Sequence, residues 1–386
     1  MKIDQNMTNP VYLDYNATTP IDNDVANEML PYIQTWYGNP SSSHLFGRKS
    51  KEAIIRAREQ VANLINANPD EIIFTSGGTE SNNHAIRGIA FAHQKKGKHI
   101  ITSAIEHPAV IEVCKYLASL GWEITYLPVD RHGTVNPNDV GNAVRKDTVL
   151  ITIMHANNEV GTIQPLPEIG AIAQKNNIVF HTDAAQSVGK IVTDVKKLGV
   201  DLLTIAGHKL YAPKGVGALF IKRGTKIENL MFGANQEKNV RPGTENVIHI
   251  VGLGKACEIA LSDFNTNYRT FYETRDLLLK GLFFKLKNRI TVNTNLDNSL
   301  PNTLSIAFEK VDAHTLTSLI SKDVMISTGS ACHSGITEIS PVLKAMKTDL
   351  QTAVGTVRIS TGKHTTQKEI ERAIQSISVI VKKLST

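Results

Sequence analysis

Seven short runs of β-branched and apolar residues alternate with helical patterns between about residue 50 and residue 222. They cover residues 71–74, 99–102, 124–127, 149–154, 178–181, 202–205 and 218–221. The runs are nearly continuously apolar rather than alternating, which is the pattern of strands covered on both faces. Amphipathic segments lie between them; in 51–65, Ile54, Ala57, Val61 and Leu64 share one helical face. This alternation predicts an α/β domain with a mostly parallel central sheet. After residue 260 the texture changes to a helical pattern over 267–287, a strand at 305–308 and a final helix. Thr366 and Glu369 form a capping box for that helix, with Ile370, Ala373, Ile374, Ile377 and Val381 on one face. A chain of 386 residues is long enough to split. We expect a large domain over 16–260, a smaller α+β domain over 261–386, and residues 1–15 packing with the smaller one.

The composition excludes several classes. Hydrophobic residues make up 41% of the chain and charged residues 20%, an ordinary soluble balance. The net charge of +6 comes without long Lys or Arg runs, so no direct nucleic-acid binding is expected. A basic face that docks an acidic protein remains compatible with it. No apolar run approaches the roughly 20 residues of a membrane span, and the first ten residues resemble neither a signal nor a transit peptide. The three cysteines, Cys114, Cys257 and Cys332, form no CxxC pair and have no His at metal spacing. No metal site is expected, and the count fits a reducing, cytoplasmic compartment.

Four elements bear chemistry at predicted strand ends. Phe74-Thr-Ser-Gly-Gly-Thr79 leads from a strand into a helical segment, where glycine amides and a helix N-terminus suit a phosphate. His107 follows the second run and can stack on a planar group or move protons. Asp183 ends the run beginning at Ile178; it is either a turn or cap residue or a buried carboxylate paired with a protonated pyridine. Lys209 follows Leu202-Leu-Thr-Ile-Ala-Gly-His; it is either solvated or an amine poised to form a Schiff base. Each alone is weak. Their joint order along one sheet argues for pyridoxal 5'-phosphate.

Ser327-Thr-Gly-Ser-Ala-Cys332-His-Ser-Gly335 surrounds a thiol with small and hydroxylated residues, the composition of a mobile, exposed loop. Cys332 near His333 is then either an incidental thiol or a partly ionised nucleophile. Arg358, within Val357-Arg-Ile-Ser360, either grips a substrate carboxylate or makes a structural salt bridge.

With these residues in view, the chain resembles the cysteine desulfurases of the aminotransferase class V group, fold-type I pyridoxal-phosphate enzymes. The likeness runs through Val11-Tyr-Leu-Asp-Tyr-Asn-Ala-Thr-Thr-Pro20, Thr75-Ser-Gly-Gly-Thr-Glu-Ser81, Glu106-His107, His155-Ala-Asn-Asn-Glu-Val-Gly161, His181-Thr-Asp-Ala-Ala-Gln186, Gly207-His-Lys209, Arg241-Pro-Gly-Thr244 and Ser330-Ala-Cys332. The resemblance implies that Lys209 is the Schiff-base lysine, that Asp183 faces the pyridine nitrogen, and that His107 stacks on the ring. It implies Asn158 and Gln186 at the ring and its phenolic oxygen, and Gly78, Thr79 and His208 at the phosphate. Thr244 would reach the phosphate of a second subunit, making a homodimer; Asn16 and Arg358 would lie near the carboxylate of the substrate, L-cysteine. Cys332 would accept the sulfur, as in the branch with a long mobile loop, and pass it to an iron–sulfur scaffold or a tRNA-thiolation enzyme. Where the family often carries serine before Gly207, this chain has Ala206, so one hydroxyl to the phosphate is missing. A selenocysteine lyase, an aminotransferase and a non-catalytic scaffold are the competing readings.

Overall fold

The computed structural model describes residues 9–333 and 336–385, and the side chains of all of these except 330–338. Each of the seven apolar runs forms a strand of one sheet: β1 Ile72–Thr75, β2 His99–Ser103, β3 Glu123–Leu127, β4 Thr148–Thr152, β5 Val179–Asp183, β6 Leu202–Ala206 and β7 Gly217–Ile221. Their order is β1-β7-β6-β5-β4-β2-β3. β7 runs antiparallel to both neighbours, and every other pairing is parallel. β1, β2, β4 and β6 are buried throughout. β3 departs from the expectation of two covered faces: as the edge strand beyond β2 it is exposed at Glu123 and Tyr126. Helices Gly78–His93 (α1) and Pro108–Ser119 (α2) cover part of the sheet, with Ile86, Ile89, Val110 and Leu117 packed in one apolar cluster with Ile100 and Leu150. Because all strands but β7 point the same way, their carboxyl ends gather along one edge, where open α/β sheets bind ligands.

Inside the sheet, two imidazoles bridge neighbouring strands. His99 of β2 lies between Thr148 Oγ1 (2.7 Å from Nδ1) and Thr125 Oγ1 (2.8 Å from Nε2). His181 of β5 lies between Thr152 Oγ1 (2.8 Å) and Thr204 Oγ1 (3.1 Å). Burial pushes the pKa of His181 down to about 3 and lowers that of His99 as well. The folded state therefore holds neutral imidazoles, whereas the unfolded chain protonates below about pH 6.5. Their contribution is present above that pH and is lost as the pH falls toward the folded value. At pH 5 His181 alone is expected to cost about 2 kcal/mol relative to pH 7. Denaturant midpoints measured at pH 7 and pH 5 check this; equal midpoints would contradict neutral, buried imidazoles.

The chain divides into two compact units. The sheet belongs to the unit made of Thr18–Asn158 and Ile163–Phe264. The other comprises the described part of Met1–Ala17, with Glu159–Thr162 and Asn265–Thr386. Its four-stranded antiparallel sheet has the order Ser327–Thr328, Thr356–Ser360, Thr303–Phe308, Ile290–Val292. Val11–Tyr12 pairs in parallel with Val324–Met325. Helix Phe264–Leu286 receives Ile374 of the C-terminal helix Gln367–Leu384 in the space that a Cβ at Gly281 would need. Glu159–Thr162 joins this unit because Thr162 bridges to Ser299 and Leu300 N–H donates to Gly161 O at 2.8 Å. Among the described residues, no helix is long and apolar enough to cross a membrane.

Candidate active site

The first site element is the turn from β1 into α1. Gly77, the N-cap of α1, has a φ of +147°, a conformation that side chains other than glycine's rarely adopt. It brings no side chain to the amides of the first turn. A Cβ at Gly217 of β7 would lie 2.7 Å from Gly77 Cα, so the turn runs directly over the β7 backbone. Thr75 Oγ1 and Ser81 Oγ, 2.8 Å apart, close the turn from below. Glu80 is held by an ion pair to Arg241 at 2.8 Å. Gly78 and the exposed Thr79 thus open a 16-residue helix whose first amides are left for an anion. Gly78 faces Ala206, whose methyl is 3.3 Å from the place of a Cβ there.

His107 caps α2. Its Nδ1 accepts from Ala109 N–H at 3.1 Å, so the proton of the neutral ring sits on Nε2. Burial holds its pKa below the usual value; Asp183 opposes that shift and Lys209 adds to it. Asp183, at the end of β5, is 6% exposed. Its Oδ2 accepts from Asn82 Nδ2 at 2.7 Å and its Oδ1 from Ala185 N–H at 2.9 Å. Asp183 thus makes the turn bond that is one of its two readings, and it is also buried. Among the described residues Asp183 has no salt-bridge partner. A buried carboxylate held by two neutral donors suits an N–H cation.

Lys209 ends the short helical turn Gly207–Lys209 after β6. Thr19 N–H and Oγ1 donate to His208 O at 3.0 and 3.1 Å, and Tyr211 N–H donates to Thr19 Oγ1 at 2.9 Å, fixing the turn. Burial pushes His208 down to about 4, helped by the charges of Lys209 and Lys214 and by His107 and Lys190. Nδ1 of His208 is 3.2 Å from Thr18 Oγ1. The buried Lys190 donates to Gln186 Oε1 at 2.9 Å. Asn158 is half-buried, and Thr244 is exposed in the loop before helix Val247–Ser262. Several cations therefore surround the Gly207–Lys209 turn, a setting that fits a dianionic phosphate.

Asn16, Arg358 and Cys332 belong to the other unit. Asn16 is 1% exposed; its N–H donates to Ser360 Oγ at 2.9 Å and its Nδ2 to Thr303 Oγ1 at 2.8 Å, while Oδ1 accepts from Asn302 at 3.1 Å. Arg358 makes the structural ion pair foreseen as one of its two readings, to Asp14 Oδ1 at 2.7 Å, and donates to Ser327 Oγ at 3.0 Å. Cys332 lies on the strand Ser330–His333, opposite Thr337 of the antiparallel strand Ile336–Ile339. The loop predicted around Cys332 thus includes a two-stranded hairpin, and the Cys332 side chain and residues 334–335 lie outside the described residues. Burial pushes the Cys114 thiol up to about 12 and that of Cys257 higher still, leaving both inert.

Sequence reasoning assigned no role to Asn82, Glu106 or Lys190. Asn82 sits one turn inside α1, where only the tertiary position of β5 brings Asp183 to it. A Lys four residues after Gln186 is a weak hint that burial turns into a contact.

The sequence profile of the aminotransferase class-V family matches residues 11–373. The cysteine desulfurase IscS of Dictyoglomus turgidum is 49% identical over 381 residues, which is 98% of this chain and 96% of that protein. IscS of Methanosarcina thermophila is 48% identical over 375 residues, 97% and 92% of the two chains. Among solved structures, a NifS-like protein superimposes with a TM-score of 0.91 at 38% identity, covering 97% of this chain and 99% of that one. A structure described as SspA in complex with cysteine gives a TM-score of 0.80 at 37% identity, covering 92% and 99%.

Proposed function

The chain belongs to the cysteine desulfurases of the aminotransferase class-V family, whose members depend on pyridoxal phosphate, and on that premise we propose that it binds this cofactor and moves sulfur from L-cysteine to Cys332, releasing L-alanine. The observation that carries the cofactor reading is the pairing, at one sheet edge, of an uncapped glycine turn with a buried carboxylate that has no salt-bridge partner among the described residues. The first suits a phosphate and the second a ring N–H.

In this reading the amides of Gly78 and Thr79, the Thr79 hydroxyl and His208 take the phosphate. Thr244 reaches the phosphate of a second copy in a homodimer. Asp183 holds a proton at the ring nitrogen, His107 lies over the ring, and Asn158 and Gln186 hold its phenolic oxygen side. When bound, the cofactor supplies an electron sink that acidifies the substrate Cα–H and weakens the bond to the substrate sulfur. The Lys209 amine takes the Cα proton. Asn16 and Arg358 orient the substrate carboxylate, with Asp14 aiming the guanidinium. The Cys332 thiolate attacks the substrate sulfur; an S–S bond forms, the C–S bond breaks with its electron pair on carbon, and a proton completes the alanine methyl group. Cysteine and a thiol thus become alanine and a persulfide, with atoms and electrons balanced.

The persulfide is passed to an iron–sulfur scaffold or a tRNA-thiolation enzyme in the cytoplasm. Incubating the purified, cofactor-loaded protein with L-cysteine and dithiothreitol should yield alanine and sulfide in equal amounts. An α-keto acid instead would identify an aminotransferase. A kcat/KM for selenocysteine far above that for cysteine would identify a selenocysteine lyase.

Ala206 bears on affinity rather than chemistry. Ala206→Ser adds a hydroxyl beside Gly78 and is expected to slow cofactor loss during dialysis about tenfold, the equivalent of about 1.4 kcal/mol for one bond to a charged group. Visible absorbance remaining with time measures it; an unchanged loss rate would show that the hydroxyl does not reach the phosphate.

A further inference from the structure

Glu106 is 6% exposed and sits beside His107, at the end of the turn that leaves β2. Its Oε1 accepts from Ser103 Oγ at 2.6 Å and from Met154 N–H at 2.9 Å, tying the turn to the chain just after β4. The same turn is held at two more points: Ala104 N–H donates to Leu127 O at 3.0 Å, and Asn157 Nδ2 donates to Ile105 O at 3.0 Å. His107 follows directly and uses Nδ1 to cap α2. The second oxygen of Glu106, Oε2, is buried with no hydrogen-bond partner among the described residues. Glu106 takes part in no salt bridge among the described residues; the ionisable groups acting on it or affected by it are Asp183 from β5 and Cys114 from α2.

Two neutral donors on one oxygen do not offset the cost of burying a full negative charge whose other oxygen is unsatisfied. A second anion beside Asp183 would also draw a proton onto His107 and compete for the proton that Asp183 is proposed to hold on the cofactor ring. We propose that Glu106 is kept as an uncharged carboxylic acid that positions His107 against the sheet edge without adding charge to the site. The direction of its acidity agrees: burial raises its pKa to about 8, with Asp183 adding to the rise. Glu106 is thus a positioning residue, and the proposal rests on the cofactor reading above, in which His107 lies over the ring.

The decisive variant is Glu106→Gln, whose amide keeps an acceptor at Oε1 and a donor where the acid carries its proton. In the holoenzyme, E106Q is expected to retain kcat and KM within about threefold. Glu106→Ala, which releases the turn, is expected to lower kcat about tenfold to a hundredfold with KM nearly constant. Independently of activity, infrared difference spectra of wild type against E106Q should contain the carbonyl band of a protonated carboxyl at pH 7. That band should fade as the pH rises past about 8. E106Q as damaged as E106A, or no such band at pH 7, would overturn the proposal. If E106A does not fold, E106Q and the infrared band still decide. Wild type that makes no alanine would sink the desulfurase reading instead, and the infrared result would then stand alone for Glu106.

Discussion

Serine in place of Cys332 is expected to stop alanine formation almost completely, by about three to four orders of magnitude, while the protein keeps its bound cofactor and its yellow colour. The reasoning rests on the atom that must end up carrying sulfur. A hydroxyl is not ionised near neutral pH and cannot form a persulfide, so the C–S bond has no acceptor for its sulfur. The other two thiols cannot substitute: Cys114 and Cys257 are buried, and burial pushes both away from ionisation. The groups proposed to bind the cofactor all lie in the other unit, outside the segment that carries Cys332. Adding L-cysteine to C332S should therefore still perturb the visible spectrum. Alanine is counted with dithiothreitol present; turnover within tenfold of wild type would remove Cys332 from the mechanism.

Lys209→Ala is expected to be as damaging in a different way. The amine is the proposed covalent tether and the base for Cα, so its loss should remove the visible band of the tethered cofactor and lower turnover by about four orders of magnitude or more. The phosphate turn is left intact, because Gly77 and Ser81 are held by contacts to β7 rather than by Lys209, and Gly78 lies against Ala206 of β6. K209A should therefore still bind the cofactor, more weakly, and equilibrium dialysis would detect it. The two variants separate the halves of the chemistry: C332S retains proton abstraction without sulfur transfer, and K209A retains neither. An unaltered visible band in K209A would move the tether to another lysine, with Lys190 the first to examine because it is buried against Gln186.

Much of the fold was legible along the chain. The seven apolar runs became the seven strands of the sheet; for all but the edge strand β3, a strand covered by helices needs apolar side chains at nearly every position. The C-terminal capping box formed as read, with Thr366 N–H donating to Glu369 Oε2 at 2.7 Å. Other features required partners distant in sequence. The helix read over 51–65 runs from Leu45 to Leu64, and its early start is supported by Phe46 packing on Trp36 and Tyr37, with centroids 5.4 Å apart in each case. The edge position of β3 follows from strand order, which hydropathy does not encode.

The sequence by itself determined the sheet, the order of the glycine turn, His107, Asp183 and Lys209 along it, and the family to which the chain belongs. These are local or ordered signals, carried by which residue types follow one another. Only the tertiary structure decided the charge state of what surrounds them. It showed Asp183 held by neutral donors, His208 and His181 kept uncharged, Arg358 joined to Asp14, and Glu106 sealed with one oxygen unsatisfied. Protonation depends on burial and on neighbours far apart in the chain, and only folding brings those together.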